Sequence, residues 1–138
     1  MLATALLALG VATARGDPSE VAGPELDYVI NCQGCHRADG SGTPDSVPAL
    51  AGSVGRFLRV PGGREYLARV PGVAQAPLDD AATAGVLNWL LRRFDPTALP
   101  PRFAPYTADE VGRLRRTPLI DVDGTRRRLL ALLAPPAR

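Results

Sequence analysis

The run Cys32-Gln33-Gly34-Cys35-His36 sets two thiols and an imidazole within five residues, and the chain holds no other cysteine or histidine. C-x-x-C-H is the attachment pattern for c-type haem. On a helical turn, positions i and i+3 share a face, so both thiols can reach the two vinyl groups on one porphyrin edge. The imidazole of His36 then comes under the iron as an axial metal ligand, and Gly34 lets the macrocycle lie close to the backbone. A zinc site would require about four ligands, and no further Cys or His exists to supply them. A thioredoxin-like redox pair would follow a strand in a βαβ pattern, which the sequence lacks.

These groups must be delivered by a helix. Pro24 suits a first helical position, and Glu25 and Asp27 suit the positive end of the helix dipole. Leu26, Val29 and Ile30 recur at i, i+3, i+4 and give that helix an apolar face. Tyr28 stands one turn before Cys32. Residues 37–52 read as loop, with Gly40 and Gly42 suited to tight turns around a haem edge. A proline carbonyl about a dozen residues past the histidine can accept the imidazole N–H, which orients the ring and raises its basicity. We assign that role to Pro48; the alternative is an ordinary proline-rich loop.

Arg59-Val60-Pro61-Gly62 and Arg69-Val70-Pro71-Gly72 repeat one tetrapeptide ten residues apart. Two copies are too few for a repeat architecture, so both read as loop turns bracketing a short helix that carries Tyr66 and Leu67. Residues 79–94 form the clearest helix, with Asp79 and Asp80 at its start and Arg92 and Arg93 at its end. Ala82, Val86, Trp89 and Leu90 share one face, and Pro96 marks the stop.

Residues 95–138 look like an appendage: a proline-rich connection, a helix opened by the capping box Thr107-Ala108-Asp109-Glu110, and a helix from Asp123 to Ala134. This stretch carries eight arginines against five acids, whereas residues 15–94 carry eight against nine. The basic excess reads either as a solvated helical face or as a docking surface for an acidic partner.

At 138 residues the chain suits one domain. It contains no lysine, and its formal charge is +2. That balance does not suggest a nucleic-acid binder, whose footprint is strongly basic. Aromatics make up only 5%, so a porphyrin would supply much of the packing. Residues 1–14 read as a signal peptide: Leu2 to Ala14 is apolar and uncharged, and Ala12-Thr13-Ala14 fits the small-residue cleavage rule. About 13 apolar residues fall short of the ~20 that span a bilayer. The expected organisation is signal peptide 1–14, linker 15–23, haem domain 24–94 and basic helical extension 95–138. Export to the periplasm follows, and no membrane span is expected in the mature chain.

Residues 22–94 resemble a class I cytochrome c. The resemblance rests on Tyr28-x-x-x-Cys32, the Cys32-x-x-Cys35-His36 motif, Gly40-x-Gly42, Pro48-x-Leu50 and a last helix bearing Trp89. It implies an all-α bundle around one haem, with Tyr28 and Trp89 meeting where the first and last core helices cross. It also implies that Cys32 and Cys35 are covalent anchors, His36 is an axial ligand, and Pro48 and Leu50 belong to the cofactor site. The family transfers single electrons and usually adds a methionine, often in Met-Pro, as second axial ligand. Here Val70-Pro71 stands at that place, and the only methionine is Met1.

Tyr66, Tyr106, Tyr28, Asn88, Gln75, water, the mature amino terminus, nothing at all, or a group from a partner remain for that position. The reading that follows is a non-enzymatic, periplasmic electron carrier serving a dehydrogenase or oxidase. The alternative is a haem-based gas binder, sensor or weak peroxidase with an open sixth site, in which Arg59, Arg64 or Arg69 would serve as the distal cation. No catalytic residue set is evident.

Overall fold

The computed structural model describes residues 23–134. Seven helices run in order: α1 (Pro24–Asn31), α2 (Gln33–His36), α3 (Gly63–Arg69), α4 (Pro71–Ala74), α5 (Asp80–Phe94), α6 (Ala108–Arg115) and α7 (Val122–Leu133). No strand forms among the described residues, only an isolated bridge between Thr43 and Val47. No helix among them is long and apolar enough to cross a membrane. The expected signal peptide lies outside the described residues.

The helices begin where their capping groups dictate. Asp79 Oδ1 accepts from Ala82 N at 2.7 Å and opens α5. Thr107 Oγ1 accepts from Glu110 N at 3.2 Å and opens α6, and Asp121 Oδ1 accepts from Gly124 N at 2.8 Å and opens α7. Each bond satisfies an N–H that the first helical turn leaves free.

Helix α1 crosses α5 through an aromatic cluster. Tyr28 lies 5.2 Å, centroid to centroid, from both Trp89 and Phe94, and Trp89 meets Phe94 edge-on. Gly40, at φ 73°, sits directly against the Phe94 ring, where a Cβ would collide with it. The loop after the attachment motif can therefore close onto the end of α5.

That cluster also sets the rotation of α1, and it differs from the apolar face read in the sequence. Tyr28 and Asp27 are buried, while Leu26, Val29 and Ile30 are 44%, 44% and 67% exposed. The Tyr28 ring fills the space between Trp89 and Phe94, and its hydroxyl donates to Arg37 O at 2.6 Å. With that side turned inward, the i, i+3, i+4 aliphatic stripe faces solvent.

The two copies of the repeated tetrapeptide also diverge. The first ends a 3₁₀ turn (Gly55–Arg59) and leads to Gly62 at φ 82°, the left-handed cap of α3. The second is not a loop turn. Val70 is held extended before proline, and Pro71 takes the first position of α4.

The C-terminal stretch is part of the core rather than an appendage. Tyr106, Val111 and Leu129 are 3%, 0% and 6% exposed and belong to the same apolar cluster as Tyr28, Phe57 and Leu91. Asn88 on α5 holds the Tyr106 backbone from both sides: its Nδ2 donates to Tyr106 O at 2.9 Å and its Oδ1 accepts from Tyr106 N at 2.7 Å. A side-chain amide thus mimics a strand partner for a segment that has none.

Candidate functional site

Helix α1 ends at the attachment motif. Cys32 is the residue between α1 and α2, and Cys35 and His36 lie on α2 one turn later. The two cysteines are not paired in a disulfide. Burial pushes the Cys32 thiol up from its ordinary value, with the nearby Asp27 and Cys35 adding to the shift. Burial also lowers His36, an effect that the Pro48 carbonyl opposes, so the imidazole is favoured in the neutral form that binds metals.

His36 Nδ1 lies 3.2 Å from Pro48 O. In the tautomer that donates this bond, the proton sits on Nδ1 and Nε2 keeps its lone pair. The glycine-bearing loop brings Pro48 into place. Gly42 N donates to His36 O at 3.1 Å, and Leu50 N donates to Gly40 O at 2.8 Å. Tyr28 reaches into the same loop through its bond to Arg37 O. Its phenol is pushed up to about 12, chiefly by burial and secondarily by Cys32 and Asp39.

A cavity of about 380 Å³ opens beside these groups. One wall carries Cys32, Cys35, His36, Pro48 and Leu50, the five residues expected at the cofactor site. The floor is apolar, formed by Val54, Phe57, Leu87 and Leu90. A further wall runs from Tyr66 and Leu67 on α3 through Val70, Pro71, Gly72 and Val73 into α4. The remaining side comes from α7, with Val122, Asp123 and Arg126.

The α7 contribution is not legible in a sequence that reads the C-terminal stretch as remote from the site. No local signal distinguishes Arg126 from Arg127 and Arg128; only the packing of α7 turns it to the cavity. The Arg126 guanidinium lies 5.3 Å above the Phe57 ring and has no ion-pair partner among the described residues.

The arginines named as distal candidates do not line the cavity. Arg59 donates to the carbonyls of Ala98 and Thr97, Arg64 engages Glu110, and Arg69 donates to Thr117 O at 2.7 Å. Tyr28, Tyr106 and Asn88 are likewise committed elsewhere, with the Tyr106 hydroxyl donating to Arg64 O. Among the residues considered for the sixth position, Tyr66 alone lines the cavity. It stacks 5.1 Å from Phe57, and its hydroxyl makes no hydrogen bond to a described residue.

A close-packed interior rarely leaves a void of this size without an occupant. The apolar floor, the paired thiols, the oriented imidazole and the unpaired guanidinium fit a flat, iron-bearing macrocycle with carboxylate arms. An all-α shell around such a pocket describes a covalent haem protein.

No protein-family profile matches the chain. It is 34% identical over 128 aligned residues to a cytochrome c-552 of Thermus thermophilus, covering 80% of this chain and 82% of that relative. A second Thermus thermophilus cytochrome c-552 is 36% identical over 102 residues, covering 61% of this chain and 78% of the relative. The chain belongs to the class I c-type cytochromes. It carries haem c covalently, with Cys32 and Cys35 suited to the two thioether bonds, and it is an electron carrier. Neither relative's name speaks for the gas-binding or peroxidase alternative.

Proposed function

We propose that this chain is an exported, periplasmic carrier of single electrons that serves a partner oxidoreductase such as a dehydrogenase or oxidase. The observation that supports it most is the His36 ring, tied to Pro48 O at 3.2 Å beside Cys32 and Cys35 on the wall of an apolar cavity. Cys32 and Cys35 would hold the haem through thioether bonds and His36 would supply Nε2 as a ligand, while Pro48 O accepts from Nδ1–H. Leu50 would pack against the macrocycle, and Arg126 would balance one of its carboxylates. When bound, haem supplies the one-electron couple of its iron.

The chain's own part is to keep that couple dry and its ligand fixed. Val54, Phe57, Leu67, Leu87 and Leu90 exclude water from the cavity, and the Pro48 carbonyl preserves one imidazole orientation. No methionine or histidine of the described residues completes the site opposite His36. Tyr66 is the polar group offered on the α3–α4 wall. Exposed Arg113, Arg116 and Arg127 are the cations offered to an acidic partner.

The test is mass and electrochemistry of the exported protein. The polypeptide from about Arg15 plus one haem that resists acidified organic solvent is expected, with a single one-electron wave. Extractable haem, or a chain retained in the cytoplasm with its leader, overturns the reading.

A further inference from the structure

The cavity wall formed by Val70, Pro71, Gly72 and Val73 is four residues long and is gripped at both ends by one short segment of the C-terminal stretch. At the near end, Arg69 Nε donates to Thr117 O at 2.7 Å, and Leu119 N donates back to Arg69 O at 2.9 Å. At the far end, the Arg115 guanidinium takes up the carbonyls that follow α4. Nε donates to Ala74 O at 3.1 Å, Nη2 to Ala76 O at 2.8 Å and Nη1 to Leu78 O at 2.7 Å. Nη1 also reaches Thr83 Oγ1 at 3.0 Å and Asp80 Oδ1 at 3.4 Å. The Arg115 side chain is only 15% exposed.

This arrangement is not that of a solvated charge. Ala74 is the last residue of α4, and Ala76 and Leu78 lie outside regular helix, so these three carbonyls have no intrahelical partners. A planar guanidinium has five donors in a fixed fork, and here it answers three carbonyls and a hydroxyl at once. A compact ammonium cannot span that set. The wall carries no metal-binding side chain of its own, so its position alone decides how much solvent or external ligand can reach the macrocycle from that side.

We propose that the 115–119 segment is a strap and that Arg115, aided by Arg69, is a positioning residue for the α3–α4 wall of the haem cavity. By holding the wall shut, it limits access of small ligands to the iron and keeps the couple in a low-dielectric setting. Loosening the wall admits water, which favours the more highly charged ferric form and lowers the potential. This inference rests on the cavity being the haem site.

The test uses the full-length holoprotein and free imidazole as the probe. Arg115→Met keeps the aliphatic stem and removes every donor; Arg115→Lys restores charge and part of the bonding. Arg115→Met is expected to speed imidazole association about tenfold, the change that a 1.4 kcal/mol shift toward the open wall produces, and to lower the potential. Arg115→Lys should fall between, and Arg102→Met, at an exposed arginine outside the strap, should do neither. If Arg115→Met does not accumulate, Arg69→Met removes the near-end grip and should show the same pair of changes. Variants with full covalent haem, unchanged imidazole kinetics and unchanged potential overturn the strap, whatever their melting temperatures. Wild-type protein without covalent haem would instead overturn the reading of the cavity.

Discussion

Ending the chain at Pro100 is the perturbation that separates an appended C-terminal stretch from an integral one. Read as an appendage, its removal leaves the visible spectrum unchanged and only weakens partner association at low salt. The packing predicts otherwise. Tyr106, Val111 and Leu129 are each at least 94% buried, and burying a side chain of this size contributes about 1.5–3 kcal/mol. Their loss removes about 5–9 kcal/mol in all, against a typical domain stability of about 5–15 kcal/mol. The truncation also strips the Arg115 grip from Ala74, Ala76 and Leu78, and it opens the α7 side of the cavity. The shortened chain should therefore fail to accumulate as holoprotein, or should unfold at a small fraction of the guanidinium concentration the full chain withstands. Haem absorbance against denaturant gives the measurement. A truncated protein with the full-length spectrum and a stability within about 2 kcal/mol of the parent would refute the argument, because no integral core segment can be lost so cheaply.

Two further outcomes follow from particular groups. Val70→Met should give a low-spin His/Met absorption spectrum and a higher potential, since thioether ligation raises it; an unmutated protein that already shows His/Met ligation would contradict the empty wall at Val70. Arg64, donating to Glu110 at 2.7 Å, holds that carboxyl below its usual range. Its contribution is therefore present above the unfolded value of about 4.3 and is lost as pH falls through the lower folded value. Glu110→Gln should be less stable than the parent at pH 7 by up to about 1 kcal/mol, as expected of a partly exposed pair. The gap should close below about pH 4 in unfolding titrations; a gap that persists unchanged to acid would mean the charge is not its source.

The chemistry of the site is local and therefore legible. Two thiols, an imidazole and a proline carbonyl twelve residues on are placed by helix spacing and one glycine-rich loop, so Cys32, Cys35, His36 and Pro48 can be named from their order. Helices α5 and α6 announce themselves through Asp79 and Thr107, whose capping bonds reach only three residues along the chain; α7 starts at Val122, one residue before the Asp123 start read in the sequence, because Asp121 caps it. The rotation of α1 is another matter. The stripe of Leu26, Val29 and Ile30 satisfies every rule for a buried face, yet Tyr28 wedged between Trp89 and Phe94 turns it to water. Which side of a short helix goes inward depends on the space its neighbours leave, and that space belongs to residues some sixty positions away.

The arginines show the same limit more sharply. Arg113, Arg115 and Arg116 are indistinguishable as letters in a basic run, but the fold leaves Arg113 and Arg116 in solvent and closes Arg115 around the carbonyls of Ala74, Ala76 and Leu78. Backbone carbonyls carry no mark in a sequence, because every residue has one. Only the tertiary structure decides which of them lack a helical partner and which guanidinium stands close enough to supply it.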